Sequence, residues 1–140
     1  MSEATSRAPY RVESLDHLVL TVADIEASIA YYTQVLGMEA EVFYPADGSR
    51  RHALKFGQQK INLHQAGREY DPKAKSPLPG SADLCFLSGT AVTEWADWLH
   101  SLGLKVESGP VHRTGALGLL LSIYLRDPDE NLIEISNQIS

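Results

Sequence analysis

The chain has 140 residues, 44% of them hydrophobic and 21% charged. That is the composition of one globular domain large enough to bury its own core, and it excludes a disordered segment. The formal net charge of −6, with no Lys/Arg cluster to follow a phosphate backbone, argues against nucleic-acid binding; the single cysteine, Cys85, excludes an internal disulfide and a Cys-built zinc cluster.

Residues 1–12 (MSEATSRAPYRV) show no periodicity and no apolar leader, and they are expected to form a flexible tail. No uninterrupted apolar run is long enough to span a bilayer, so the expectation is a cytoplasmic protein with no membrane partner. The next stretch, HLVLTV, alternates as a half-buried strand does. Leu18, Leu20 and Val22 take one face; His17, Val19 and Thr21 take the other. In ADIEASIAYYTQVLG the residues Ile25, Ile29, Tyr32 and Leu36 recur on one helical face, with Asp24 placed to cap its start and Gly37 its end. Three strands follow, at roughly 39–45, 50–56 and 60–65; in the last of them Ile61 and Leu63 oppose Asn62 and His64.

The stretch AGREYDPKAKSPLPGS, 66–81, contains Pro and Gly where a helix or central strand cannot form, and it reads as a tether or a binding loop. After it the pattern begins again. DLCFLS is a strand opening on Asp83. GTAVTEWADWLHSLG is a helix with Val92, Trp95, Leu99 and Leu102 on one face, Thr90 as its expected cap and Gly103 as its end. Strands are expected at roughly 105–113, 119–126 and 131–137. Leu36-Gly37 and Leu102-Gly103 stand 66 positions apart, as do Glu41 and Glu107. Such repetition makes the second half a copy of the first. The same offset lays His17 over Asp83, and four inserted residues before the last strand lay His64 over Glu134. The expected organisation is a tail at 1–12, a first module at 13–66, a linker at 67–81 and a second module at 82–138.

Strand parity puts His17, His64 and Glu134 on the face away from the helices, with Asp83 beside Cys85 and Leu87 on that same face. Taken singly, each is most simply a hydrogen-bonded structural residue or one facing water. At repeat-equivalent positions they can converge if the halves pair. Two imidazoles and a carboxylate with open positions suit one divalent ion such as Zn, Ni, Mn or Fe(II). Tyr124 and Arg126 follow the same parity in SIYLRDP and are candidates for binding substrate. Arg113, in the glycine-rich GPVHRTGALG, would suit an anionic substrate group; the alternative is a solvated loop. Cys85 is expected to be a small packing residue, and His52 and His100 fall outside the pattern.

LDHLVLTVADIEASIAYYTQVLGM near the start and YLRDPDENLIEIS near the end, one per module, resemble the vicinal oxygen chelate superfamily, the glyoxalase/bleomycin-resistance group. The wording PKAKSPLPGSADLCF is similar to the glyoxalase domain-containing protein 5-like subgroup. The resemblance implies an α+β fold in which two βαβββ modules form an open, U-shaped mixed sheet around a metal cleft. It implies ligands from the first and last strands of each module: His17, His64 and Glu134, with Asp83 at the fifth strand. It also implies modules that pair within a chain or across a homodimer. The activity implied is metal-dependent isomerase, lyase or epimerase chemistry on a small substrate with vicinal oxygens, with Asp83 or Glu134 as the base. An Fe(II) extradiol-type dioxygenase and a non-enzymatic drug- or metabolite-binding protein are the alternatives. The sequence departs from the family pattern at Asp83, where a longer ligand is usual, and at Glu130, where DPDEN replaces DPDGN.

Overall fold

The computed structural model describes residues 7–140, so residues 1–6 of the expected tail lie outside the described residues. Two βαβββ modules follow one another. The first is β1 (His17–Val22), α1 (Ile25–Gln34), β2 (Glu39–Phe43), β3 (Arg51–Phe56) and β4 (Gln59–Gln65). The second is β5 (Asp83–Leu87), α2 (Val92–Ser101), β6 (Ser108–Thr114), β7 (Leu119–Arg126) and β8 (Leu132–Gln138). They build two mixed four-stranded sheets, ordered β1-β4-β3-β2 and β5-β8-β7-β6. In each sheet the first and last strands of the module run parallel, and the hairpin pairs run antiparallel.

Alternation along the strands does what the apolar pattern requires. Leu20, Val22, Leu54, Ile61 and Leu63 from the first sheet meet Ile123, Leu125, Ile133 and Ile135 from the second in one core, closed by Tyr32 of α1 and Leu99 of α2. Each fully buried aliphatic side chain contributes about 1.5–3 kcal/mol relative to exposure. Polar contacts also join the modules. The buried Tyr32 hydroxyl donates to Asp127 Oδ2 at 2.6 Å, and Tyr31 donates to the Arg126 carbonyl at 3.0 Å. Burial pushes both phenol pKa values far above the ordinary range, so both tyrosines stay neutral donors. Trp98 of α2 donates to the Val35 carbonyl at the end of α1, and Phe56 meets Phe86 edge to face.

Asp24 caps α1 as expected, accepting from the Ala27 amide at 3.2 Å. The start of α2 differs. Its N-cap is Ala91, and Thr90 makes no side-chain cap. The amide of Asn137, on β8, reaches across instead. Its Oδ1 accepts from Val92 N at 2.8 Å, and its Nδ2 donates to the carbonyls of Ser88 and Thr90. Gln65, on β4, does the same for α1, accepting from Ile25 N and donating to the Ala23 carbonyl. In the DPDEN turn Glu130 takes φ 64, the left-handed conformation that glycine prefers. Asp127 Oδ1 holds the turn in place by accepting from the amides of Asp129 and Asn131.

Candidate functional site

The sheet registers define which candidates are neighbours. In the first module His17 pairs with Lys60, Val19 with Asn62 and Thr21 with His64. In the second Asp83 pairs with Leu132, Cys85 with Glu134 and Leu87 with Ser136. Laying His17 over Asp83 therefore lays Asn62 over Glu134 and His64 over Ser136. The expected equivalence of His64 and Glu134 is off by two residues. Gln65 and Asn137, which perform the same cap, confirm the corrected alignment.

His17 and His64 lie on one face but four residues out of step along the parallel ladder. With a rise of about 3.3 Å per residue, their backbones stand roughly 14 Å apart. Two imidazoles bonding one ion at about 2.1 Å each cannot span that comfortably. Among the described residues, no three His, Cys, Asp or Glu side chains gather closely enough to hold an ion within one chain. The convergence of His17, His64 and Glu134 expected within a single pair of modules is thus not met inside one chain. The helix sides of the two sheets share one core.

Each candidate still has a definite setting. His17, exposed at the head of β1, places Nδ1 2.9 Å from Asp16 Oδ1. A proton held there leaves Nε2 as the free acceptor. Asn62 was missed by the sequence reading. Its Oδ1 is buried without a hydrogen-bond partner, and it lies diagonally beside His17 on the same face. The alternation of INLH marked its face, but nothing in the sequence marked an unpaired oxygen. Unpartnered buried oxygens are rare and invite an explanation.

His64 is only 6% exposed. Tyr70 of the linker packs on its ring edge to face, and Arg51 stacks over Tyr70 at 3.9 Å. Burial, then the nearby Arg51 charge, lower its pKa below the ordinary imidazole value, so the ring is held neutral. Beside it the linker borders an open cleft of about 650 Å³, lined in part by Val19, Thr21, His64, Lys73, Leu78 and Asp83.

On the second sheet Glu134 accepts from Ser136 Oγ at 3.3 Å, and Ser136 is in turn paired with Ser122 and Cys85. Burial raises the Cys85 thiol above its ordinary pKa, which fits a packing residue better than a nucleophile. Tyr124 sits directly across from Glu134. Arg113 is on β6, not in a loop, and donates from Nε to the Tyr124 hydroxyl at 2.9 Å. Arg126 is engaged elsewhere, with Nε and Nη2 on the two Glu107 carboxylate oxygens and Nη1 on the Glu130 carbonyl.

Two βαβββ modules, each building a mixed four-stranded sheet, are the fold expected of the resemblance. The family model for the Glyoxalase/Bleomycin resistance protein/Dioxygenase superfamily matches residues 14–135. The chain belongs to this superfamily. Within it, the chain is 50% identical over 128 residues to virulence protein STM3117 of Salmonella typhimurium, covering 91% of this chain and 86% of that one. The crystal structure of STM3117 superposes with a TM-score of 0.87, covering 93% of this chain and all of the other. Glyoxalase domain-containing protein RDO1 of Mycosarcoma maydis is 52% identical over 126 residues, covering 90% of this chain and 69% of RDO1. The integron cassette protein VCH_CASS1 of V. cholerae superposes with a TM-score of 0.87 at 49% identity, covering 93% of this chain and 98% of that one. Superfamily membership fixes the fold; the reaction depends on the residues placed on it. No helix among the described residues is long and apolar enough to cross a membrane.

Proposed function

We propose that this superfamily member is a cytoplasmic, metal-dependent enzyme of the isomerase, lyase or epimerase type, acting on a small molecule with vicinal oxygens at a site completed by a second copy of the chain. The likeness to RDO1 supports placing it in the glyoxalase domain-containing protein 5-like subgroup. The observation that carries the reading is the division of donors. His17 and Asn62 stand on the open face of one sheet, and Asp83 and Glu134 stand at the equivalent points of the other. A twofold partner brings one copy's first sheet against the other copy's second, and so unites the three donors His17, Asn62 and Glu134 with Asp83 beside them. Val19, 48% exposed, and Leu87, 62% exposed, are core-type residues left bare on these same faces.

The donor set fits a divalent ion. An imidazole with a free Nε2, a carboxylate and an unpaired amide oxygen form a mixed nitrogen and oxygen set suited to Zn, Ni, Mn or Fe(II). When bound, such an ion supplies Lewis acidity to a substrate carbonyl oxygen. The chain's own groups do the rest. Asp16 orients His17. Glu134 is steadied by Ser136. Asp83, exposed at the head of β5, is free to accept a proton from substrate. His64, neutral and walled in by Tyr70, lines the substrate chamber and is assigned there in place of its expected role as a ligand.

Elemental analysis of purified protein tests the reading. About one divalent ion per chain is expected, lost in His17→Ala and Glu134→Ala and retained in Asp83→Asn. Wild-type protein that takes up no divalent ion when offered it would refute the site. Turnover that consumes oxygen with Fe(II) would move the assignment to the dioxygenase alternative. Tight ligand binding indifferent to a chelator would move it to the sequestering protein.

A further inference from the structure

β6 contains a bulge between Ser108 and Val111. Continued without it, the pairing of Ser108 with Tyr124 would set His112 opposite Leu120 and turn Arg113 toward the helix side. The bulge shifts the register by one residue, so that Arg113 pairs with Leu120 and shares the face of Ser122, Tyr124 and Glu134. A one-residue shift reverses every side chain beyond it, which is why bulges re-aim residues. Gly109 makes the bulge possible. Its φ is +103, and a Cβ there would run into the Ser122 carbonyl oxygen and come within 2.9 Å of Ile123 Cα. No other residue fits, so the re-aiming of Arg113 is built into the strand.

What the bulge delivers is an arginine with no acidic partner. Arg113 gives Nε–H to the Tyr124 hydroxyl and one Nη1 hydrogen to the His112 carbonyl. Its Cζ lies 5.4 Å from the Tyr124 ring centroid. Among the described residues it forms no ion pair with a carboxylate, whereas Arg126 on the same face spends its guanidinium on Glu107. Three guanidinium hydrogens remain uncommitted by donor count. Because the Tyr124 oxygen accepts from Arg113, its own proton is free to point outward. The pair therefore offers several donors and a full positive charge, next to the strand that carries Glu134 and away from the helix core.

We infer that Arg113 and Tyr124 form an anchor for an anionic oxygen group, and that the substrate class is a small oxygenated molecule bearing a carboxylate or a phosphoryl group. The inference deepens the enzyme reading above and rests on it for the position of the reacting oxygens. The anchor itself needs only Arg113, Tyr124 and the bulge. A forked guanidinium is the side chain that recognises both carboxylate and phosphoryl oxygens in two-point geometry.

The test uses intact, metal-free protein and three probes: lactate, its neutral isostere lactamide, and inorganic phosphate. Binding is read by calorimetry and by the ¹⁵N–¹H signal of the Arg113 Nε, assigned from its disappearance in Arg113→Lys. Lactate, phosphate or both are expected to shift that signal, and lactamide is not; which anion binds tells carboxylate from phosphoryl recognition. Arg113→Gln should weaken anion binding by about tenfold or more, Tyr124→Phe by less, and Arg113→Lys should retain part of it. Equal binding of lactate and lactamide, unchanged affinity in Arg113→Gln, or no binding of either anion to the wild type would overturn the anchor. Metal uptake measured on Arg113→Gln separates the two proposals, since the anchor can stand with the metal reading refuted and fall with it intact.

Discussion

At the scale of single residues, His64 shows how a tertiary setting rewrites a side chain. Its position on an apolar strand was visible from alternation, but the tyrosine that covers it comes from the linker, a stretch without periodicity. Tyr70 and Arg51 together make the site hostile to a charged ring. In metal-free protein the His64 titration followed by NMR should have its midpoint below the ordinary 6.5. The sign for stability follows. The unfolded chain takes up the imidazole proton first, so the fold loses stability as pH falls from the ordinary imidazole range toward the depressed folded value. Denaturant midpoints across that window should fall for the wild type and fall less for His64→Asn. Asn62 is the complementary case. Its type and face were legible, but its orphaned oxygen depends on which neighbours fail to reach it, and only packing decides that.

At the scale of elements, the two helices were legible in their spacing and their ends were not equally so. Asp24 caps α1 from the adjacent position, a local arrangement that sequence proximity reveals. α2 is capped by Asn137, from a strand 45 residues later in the chain. Thr90 had the right chemistry in the right place, but the Val92 amide it would accept from is already bonded to Asn137 Oδ1. Asn137→Ala should therefore cost about 1–2 kcal/mol in urea unfolding, and Thr90→Ala no more than about 0.5 kcal/mol. The reverse order would show that the helix is capped locally. The repeat alignment failed in a similar way. A slip of two residues keeps every side chain on its own face, so alternation could not distinguish His64 from Asn62 as the counterpart of Glu134. The hydrogen-bond register distinguishes them at once.

At the scale of the whole molecule, the two modules share one core through their helix sides, and among the described residues no three His, Cys, Asp or Glu side chains gather within one chain. A site built across two copies makes a distinctive prediction. His17→Ala and Glu134→Ala chains, each metal-free alone, should regain metal when mixed under conditions that exchange subunits. A mixed pair contains one site with both substitutions and one with neither, so random exchange yields about a quarter of an ion per chain. Elemental analysis after mixing checks it, and no recovery would place the ion, if any, inside one chain.

The sequence by itself determined the duplicated βαβββ order, the two amphipathic helices, the inward and outward faces of the strands that carry the candidate residues, and the superfamily. All of these follow from short-range periodicity or from repetition along the chain. The tertiary structure decided which polar residues are neighbours, that Arg126 pairs with a carboxylate while Arg113 on the same face does not, and which helix end is capped from afar. Those outcomes depend on strand register, on a single bulge and on how two sheets share a core. Each is a relation between residues distant in sequence, and alternation does not encode it.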